Sequence, residues 1–554
     1  MKMSFLTLFL AAVAPAIPAH TQQQAASIPK EYVEIAGDYE YYVPKAYAVT
    51  HVTVRNGVLW SQDEGAPSAD KLIPVDLRSL TFRVDSPNAE QFLQFVRDPG
   101  GRISSFLLTV TQGSTTLNVN GKRITRRARQ FGDRFSVQEL TEDLLKVREA
   151  LERLHPALYE FTDKVSFERL FDEQLRRLDR PMAVTEFYKV VAPFVAAVGC
   201  AHTRVLLPET FWTDAPSGRF PLRLTLLGEK AYVTGSYDAG SRIPPGSKLI
   251  TINGQTVPVV LRALGSMISS DGRREPYKLA VLARQFDRHA ALEFGFPDTW
   301  VVTYAPPSGT GAHKAELRAV EAKTIQTFRD GQNRPPSSGD PNLSFEALEP
   351  SGTAVLTIRS FDYYDDPSVS RFQGFVDNVF ARVRSMNLRN LVLDLRGNSG
   401  GSPQVTTHLL SYIEPFPVLY FAKDYGGGYE AYARGIPRAA SPYTGRLFTL
   451  IDGGGVSSMG HFCALLKYHR IGTLVGTETG GTFECNDASH VVNLWNTGMR
   501  MAVARITFTA AVNGMSRNRG VVPDHIVEPR IEDVVLGQDT VKAYVFALIA
   551  KEPR

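Results

Sequence analysis

The sequence predicts a multidomain α/β protein, and three observations carry that expectation. At 554 residues, 43% hydrophobic and 21% charged, the chain has a globular composition and is too long for one ordinary core. Residues from Gly37 to Ile124 fall into short alternating runs broken by turn residues, the pattern of antiparallel strands. From about residue 345, strand-like apolar runs alternate with helical patterns, as the buried strands of an α/β domain do. The divisions that follow are 1–19, 30–128, 136–212, 218–325 and 345–554.

Residues 1–19 read as a signal peptide. Met1-Lys2 precedes an apolar run from Phe5 to Val13, and small residues follow at Ala14, Ala16 and Ala19, the order of a secretory leader with its cleavage site. The run is too short to span a bilayer and no later segment qualifies, so no membrane span is expected and the protein reads as secreted or periplasmic. The net charge of +4 is small for this length, and no basic stripe appears, which argues against nucleic acid as a partner. Three cysteines make neither a disulfide framework nor a zinc pattern; Cys463 and Cys485 could pair, leaving Cys200 over.

Residues 30–128 are expected to form an antiparallel β accessory module, with runs such as Tyr47 to Val54 and Leu107 to Thr111 and turns at Asn56-Gly57 and Asn120-Gly121. Residues 136–212 read as helical. Ser136 with Glu139 gives a capping-box spacing, and Leu140, Leu144, Val147, Leu151 and Leu154 recur at helical intervals up to Pro156. A second helix, from Thr185 to about Val198, delivers the chain to Cys200, Ala201, His202 and Thr203. Within 218–325, the stretch Pro245 to Gly254 resembles the Pro-Gly-Asp-x-Ile-x-x-Ile-Asn-Gly signature of PDZ domains, which bind extended peptides by strand addition; an ordinary hairpin with an Asn-Gly turn is the other reading. Residues 330–343 have a linker composition. Strands are then expected at Ala354 to Ile358, Asn390 to Leu395, Leu447 to Ile451 and Thr473 to Val475, with helices from about Val369 to Met386 and after Ser458.

Two of these strands run into glycine-rich loops. One holds Gly397, Gly400 and Gly401; the other holds Gly453, Gly454, Gly455, Val456, Ser457 and Ser458. A strand, glycines and a helix in that order can aim a serine hydroxyl out of the sheet while backbone N–H groups at the helix start converge on the same point, as an oxyanion hole requires. A phosphate cradle would need a lysine after the glycines or G-x-G-x-x-G spacing, and neither loop has them.

Asp394 to Gly401, the Ser457 loop with Phe462 five positions on, Leu474 to Gly481, and Gly520 to Asp524 occur in this order. Together they resemble the tail-specific (C-terminal processing) protease family, over about Leu144 to the C-terminus. The resemblance implies a crotonase/ClpP-like ββα core over 345–554, preceded by a PDZ-like domain. It places the nucleophile at Ser457, with the N–H groups of Ser458 and of Gly400 or Gly401 as the oxyanion hole. The family's processing branch uses a lysine where this chain has Thr482, so a Ser-Lys dyad is absent and another base must serve. In the tricorn-like branch the base is a histidine following a helix, a place His202 fills; His461, one turn past Ser457, is the competitor. Those relatives orient the histidine with a glutamate where this chain has Arg517, and carry a serine where it has Ala201. Glu478 and Glu484 are the substitutes for the acidic member, Glu478 being preferred. The reaction implied is acyl transfer from a peptide or protein substrate through an acyl-enzyme, with no cofactor and no metal. Two rivals stay open: a non-catalytic peptide-binding protein of the same fold, and a crotonase-like enzyme acting on acyl thioesters. The oligomeric state is left open.

Overall fold

The computed structural model describes residues 28–44, 46–86, 89–126, 130–208, 211–215, 218–238, 240–332, 339–426 and 428–551. The leader expected at 1–19 and the middle of the expected linker lie outside them. The chain up to Thr125, less Pro44–Ala46, is one compact unit, and the rest is a second.

In the first unit, period-two alternation produces eight antiparallel strands, and the barrel closes because Gly37–Val43 pairs with Thr115–Ile124, Asp38 lying opposite Ile124 and Tyr41 opposite Gly121. Tyr39, Phe82, Phe95 and Phe106 point inward and pack ring against ring. The turn expected at Asn56-Gly57 forms, with both residues at positive φ. The one expected at Asn120-Gly121 does not. Gly121 sits inside the last strand because the Phe106 ring occupies the space a Cβ would need, 2.2 Å from its ideal position. The antiparallel β module read from the sequence is therefore a closed barrel, and the molecule as a whole is mixed α/β.

The second unit opens with the helix Val137–Leu154, whose capping box between Ser136 and Glu139 forms and whose leucines at 140, 144, 151 and 154 are buried. A helix at Lys164–Arg176, capped by Asp163, was not expected. The helix Val184–Ala196 then leads into Cys200 and His202. Next comes an antiparallel sheet with strand order Leu222–Leu227, Lys230–Ser236, Lys248–Ile252, Thr299–Ala305, His313–Arg318, and Gln255–Thr256 beside the third strand. Asn253 (φ 45°) and Gly254 (φ 82°) make the hairpin turn, and the helices Val257–Ser266 and Glu275–Phe294 follow.

The last sheet runs Leu343–Leu348, Thr353–Ile358, Asn390–Asp394, Arg446–Ile451, Thr473–Gly476, His525–Ile526, the first pair antiparallel and the others parallel. Its strands are apolar on both faces because both are covered. Val355, Val392, Phe448, Leu450 and Val475 meet Val541 and Val545 of the C-terminal helix Thr540–Lys551. Leu356, Leu391, Leu393 and Ile451 face Phe372, Leu409 and Phe462, on the helices Asp366–Ser385, Pro403–Ile413 and Ser458–His469. Both glycine-rich loops thus leave the same edge of one parallel sheet. Chemistry collects at that edge, where strands end and helices begin.

Candidate active site

The two loops are held together by carboxylates at their bases. Asp452 accepts the N–H of Gly397 (2.8 Å) and of Gly454 (2.9 Å) through one oxygen. Asp394, at the end of the neighbouring strand, is fully buried; burial alone would raise its carboxyl, but hydrogen bonds from Arg396 and Arg359 reverse this and hold it far below the usual carboxylate range. The loop tips are therefore fixed from beneath.

Ser457 is the residue between strand and helix, and its backbone is strained: φ is 61° and ψ −135°. A residue with a Cβ occupies that region at a cost of order 1–3 kcal/mol and is found there mainly where a site demands it. Its side chain does not cap the helix. It lies instead in hydrogen-bond contact with the Cys485 thiol, which burial pushes well above its ordinary value. Gly400 packs on the same spot: a Cβ there would fall 2.8 Å from Ser457 Cβ and 3.1 Å from Ser458 N. Only glycine leaves that space open.

His202 reaches the site through the strand Glu484–Asp487. Cys485 and Asp487 are two residues apart and so share a face of that strand; Cys485 meets Ser457, and Asp487 Oδ2 lies 3.4 Å from His202 Nε2. The loop carrying the histidine is pinned around it. Ser489 Oγ donates to His202 O (3.1 Å), Thr203 Oγ1 accepts the N–H of Ala504 (3.1 Å), and Arg204–Leu206 pairs with Arg500–Val503. Beneath it, Asp271 Oδ1 accepts the N–H of Ala201 (2.9 Å), while Asp271 Oδ2 and His202 Nδ1 are both buried without a hydrogen-bond partner. Cys200, His202 and Asp271 bring three ligand-type atoms within 4.8 Å. Burial, with Asp271 adding to it, pushes the Cys200 thiol up to about 12, which disfavours the thiolate a metal would bind. Cys200 and Asp271 read as a buried support for the loop that carries His202.

The structure redistributes several expected roles. Glu478, the preferred acidic member, accepts the N–H of Gly520 (2.7 Å) and pairs with Arg519 (3.0 Å); Glu484 accepts from Thr509 Oγ1 (2.9 Å) and pairs with Arg517 (3.0 Å). Both are held by the 517–520 loop, and the carboxylate beside His202 is Asp487. Asp487 is nearest because the strand alternates; the sequence signal that could have found it is its place two residues after Cys485. The Ser458 hydroxyl accepts the N–H of Gly401 (2.8 Å), and the N–H of Gly400 is bound by Asn398 Oδ1 (2.8 Å). Of the three expected oxyanion donors, only the Ser458 N–H has no acceptor among the described hydrogen bonds, and no described hydrogen bond joins Ser457 Oγ to His202. His461 is buried against Tyr420 and Phe421, and burial pushes its imidazole down to about 3, so it stays neutral and turned into the core. Cys200, Cys463 and Cys485 are all free and buried; Cys463 faces Met459 in place of Cys485.

Residues 352–527 match the family described as Peptidase family S41. No curated protein matches the chain. Among solved structures, mature CPAF is similar at 14% identity over 75% of this chain and 99% of that one, with a TM-score of 0.54. CPAF complexed with lactacystin gives 15% identity, 74% and 98% coverage and the same score. The tricorn protease aligns over 92% of this chain and 46% of its own, at 15% identity and a TM-score of 0.36.

Proposed function

We propose that the chain, whose residues 352–527 match Peptidase family S41, is an exported serine endopeptidase in which Ser457 is the nucleophile and His202 the base, in the manner of the tricorn-like branch. The single observation that carries this reading is the strained backbone of Ser457 at the strand-to-helix turn, its Cβ lying against Gly400. His202 takes the Ser457 proton, the hydroxyl attacks the peptide carbonyl, and His202 returns the proton to the leaving amine; water then releases the acyl group. Asp487 stabilises the imidazolium that forms. The Ser458 N–H binds the developing oxyanion, and the N–H of Gly400 or Gly401 joins it when substrate displaces Asn398 or the Ser458 hydroxyl. The sheet-and-helix segment 218–325 is read as PDZ-like and the 345–554 region as crotonase-like, the former presenting an extended peptide to the latter.

The test is fluorophosphonate labelling of purified mature protein. Labelling is expected in wild type and in Ser458→Ala, and is expected to vanish in Ser457→Ala and to fall at least 10²-fold in His202→Ala. A folded wild type that never labels would sink the reading. The second reading, a peptide-binding protein without catalysis, is favoured by the internally bonded N–H groups of Gly400 and Gly401, and that outcome would support it.

A further inference from the structure

A cavity of about 660 Å³ opens beside the proposed base, lined among others by Ala201, His202, Ser399 and Val456. Arg204, Arg284 and Arg288 also line it, and no aspartate or glutamate does so among the described residues. None of the three guanidinium groups has a carboxylate partner there. Arg284 Nη1 donates to Gly397 O (3.0 Å), Arg204 Nη1 reaches Ala201 O (3.4 Å), and Arg288 lies over the Trp212 ring at 5.4 Å. Each spends at most one of its five N–H donors on these contacts.

The helix Glu275–Phe294, which supplies Arg284 and Arg288, has three acidic residues, and all are engaged elsewhere: Glu275 with Lys278 (3.7 Å), Asp287 with Arg329 (2.9 Å), Glu293 with Lys189 (3.8 Å). The helix kinks between the two arginines, at Gln285 (φ −131°, ψ 25°), and three like charges lining one cavity repel one another unless an anion neutralises them. Arginine is also the side chain whose planar fork matches a carboxylate in two parallel hydrogen bonds.

We infer that this cavity is a subsite for a carboxylate of the peptide substrate, an aspartate or glutamate side chain close to the scissile bond. The inference rests on the serine-peptidase reading for the nature of its ligand. Arg284, bonded to Gly397 of one glycine-rich loop, and Arg204, bonded to Ala201 beside the proposed base, hold the carboxylate, with Arg288 on Trp212 as the third cation.

The test measures binding to the full-length Ser457→Ala protein, so that turnover is not needed. The probes are fluorescent hexapeptides, acetylated and amidated, with glutamate or glutamine placed at each position in turn, and one glutamine set with a free C-terminus. At one position or more, the glutamate peptide is expected to bind about tenfold more tightly than its glutamine twin. The gap is expected to shrink at high salt, and to drop below twofold in the Arg204→Gln/Arg288→Gln protein, whose melting temperature serves as the folding control. Equal binding of all glutamate and glutamine pairs overturns the inference. A gain confined to the free C-terminus overturns it in favour of tail recognition. If wild type never reacts with fluorophosphonate yet glutamate peptides bind as described, the catalytic reading fails and the subsite stands.

Discussion

At Ser457 two demands conflict. The hydroxyl is wanted at the tip of the turn, yet φ of 61° and ψ of −135° suit glycine far better than serine. Ser457→Gly is therefore expected to abolish labelling while raising thermal stability by about 1 kcal/mol over Ser457→Ala, which keeps the Cβ and the strain; differential scanning calorimetry of the two variants decides this. The companion prediction concerns the carboxylates. Asp487→Asn is expected to lower kcat/KM by 10²-fold or more, by removing the negative charge beside His202. Glu478→Gln is expected to cost stability through its lost Arg519 and Gly520 contacts and to leave the pH profile of kcat/KM where it was. The reverse result would return Glu478 to the role first read for it. The strand-to-helix turn that carries Ser457 and the helix that leads to His202 were legible in the sequence because loop motifs and spacing mark them. Asp487 and Asp271 were not, since one owes its place to alternation on a four-residue strand and the other to a turn about 70 residues from the histidine it supports.

At the scale of elements, local signals that settle a backbone were readable: the Ser136 capping box, the Asn253-Gly254 turn, the strand-to-glycine-to-helix order. What escaped was any feature whose cause is packing against a distant segment, such as Gly121 making room for Phe106. Glu414, at the end of the helix Pro403–Ile413, is another. It is fully buried, Oε2 accepts the N–H of Val418 (3.2 Å) and Oε1 has no partner. Burial raises its carboxyl to about 7. A carboxyl raised in the folded state favours folding below its unfolded value near 4.5, and that contribution is lost as pH climbs through about 7. Glu414→Gln, which keeps the shape without the ionisation, is expected to stabilise the protein by ~1–3 kcal/mol at pH 8 and hardly at pH 4. Chemical denaturation at the two pH values measures it, and equal effects at both would show that Glu414 stays ionised in the fold.

For the whole molecule, the informative division is between the barrel unit and the remainder. Period-two alternation announced strands in 37–124, but nothing local announced that Asp38 would pair with Ile124 and close them into a ring, because such pairing is decided by which edges remain free once every neighbouring hairpin has formed. Closure has a thermodynamic consequence. The barrel has no unpaired edge, and its core of Tyr39, Phe82, Phe95 and Phe106 is assembled from its own strands together with Tyr32 and Ile35 of the preceding helix. It should then fold without the second unit. A fragment of residues 28–125 is expected to show a single cooperative thermal transition by far-UV circular dichroism. In that fragment Gly121→Val is expected to lose ~1–3 kcal/mol, because its side chain must displace the Phe106 ring. The remaining fragment, from residue 126 on, keeps every group of the proposed site, from Cys200 to Asp487, and is expected to label at Ser457 at the rate of the full chain. A fragment 28–125 that is unfolded in isolation would mean the barrel depends on the rest of the chain, and slower labelling of the longer fragment would give the barrel a part in the chemistry that its own residues do not reveal.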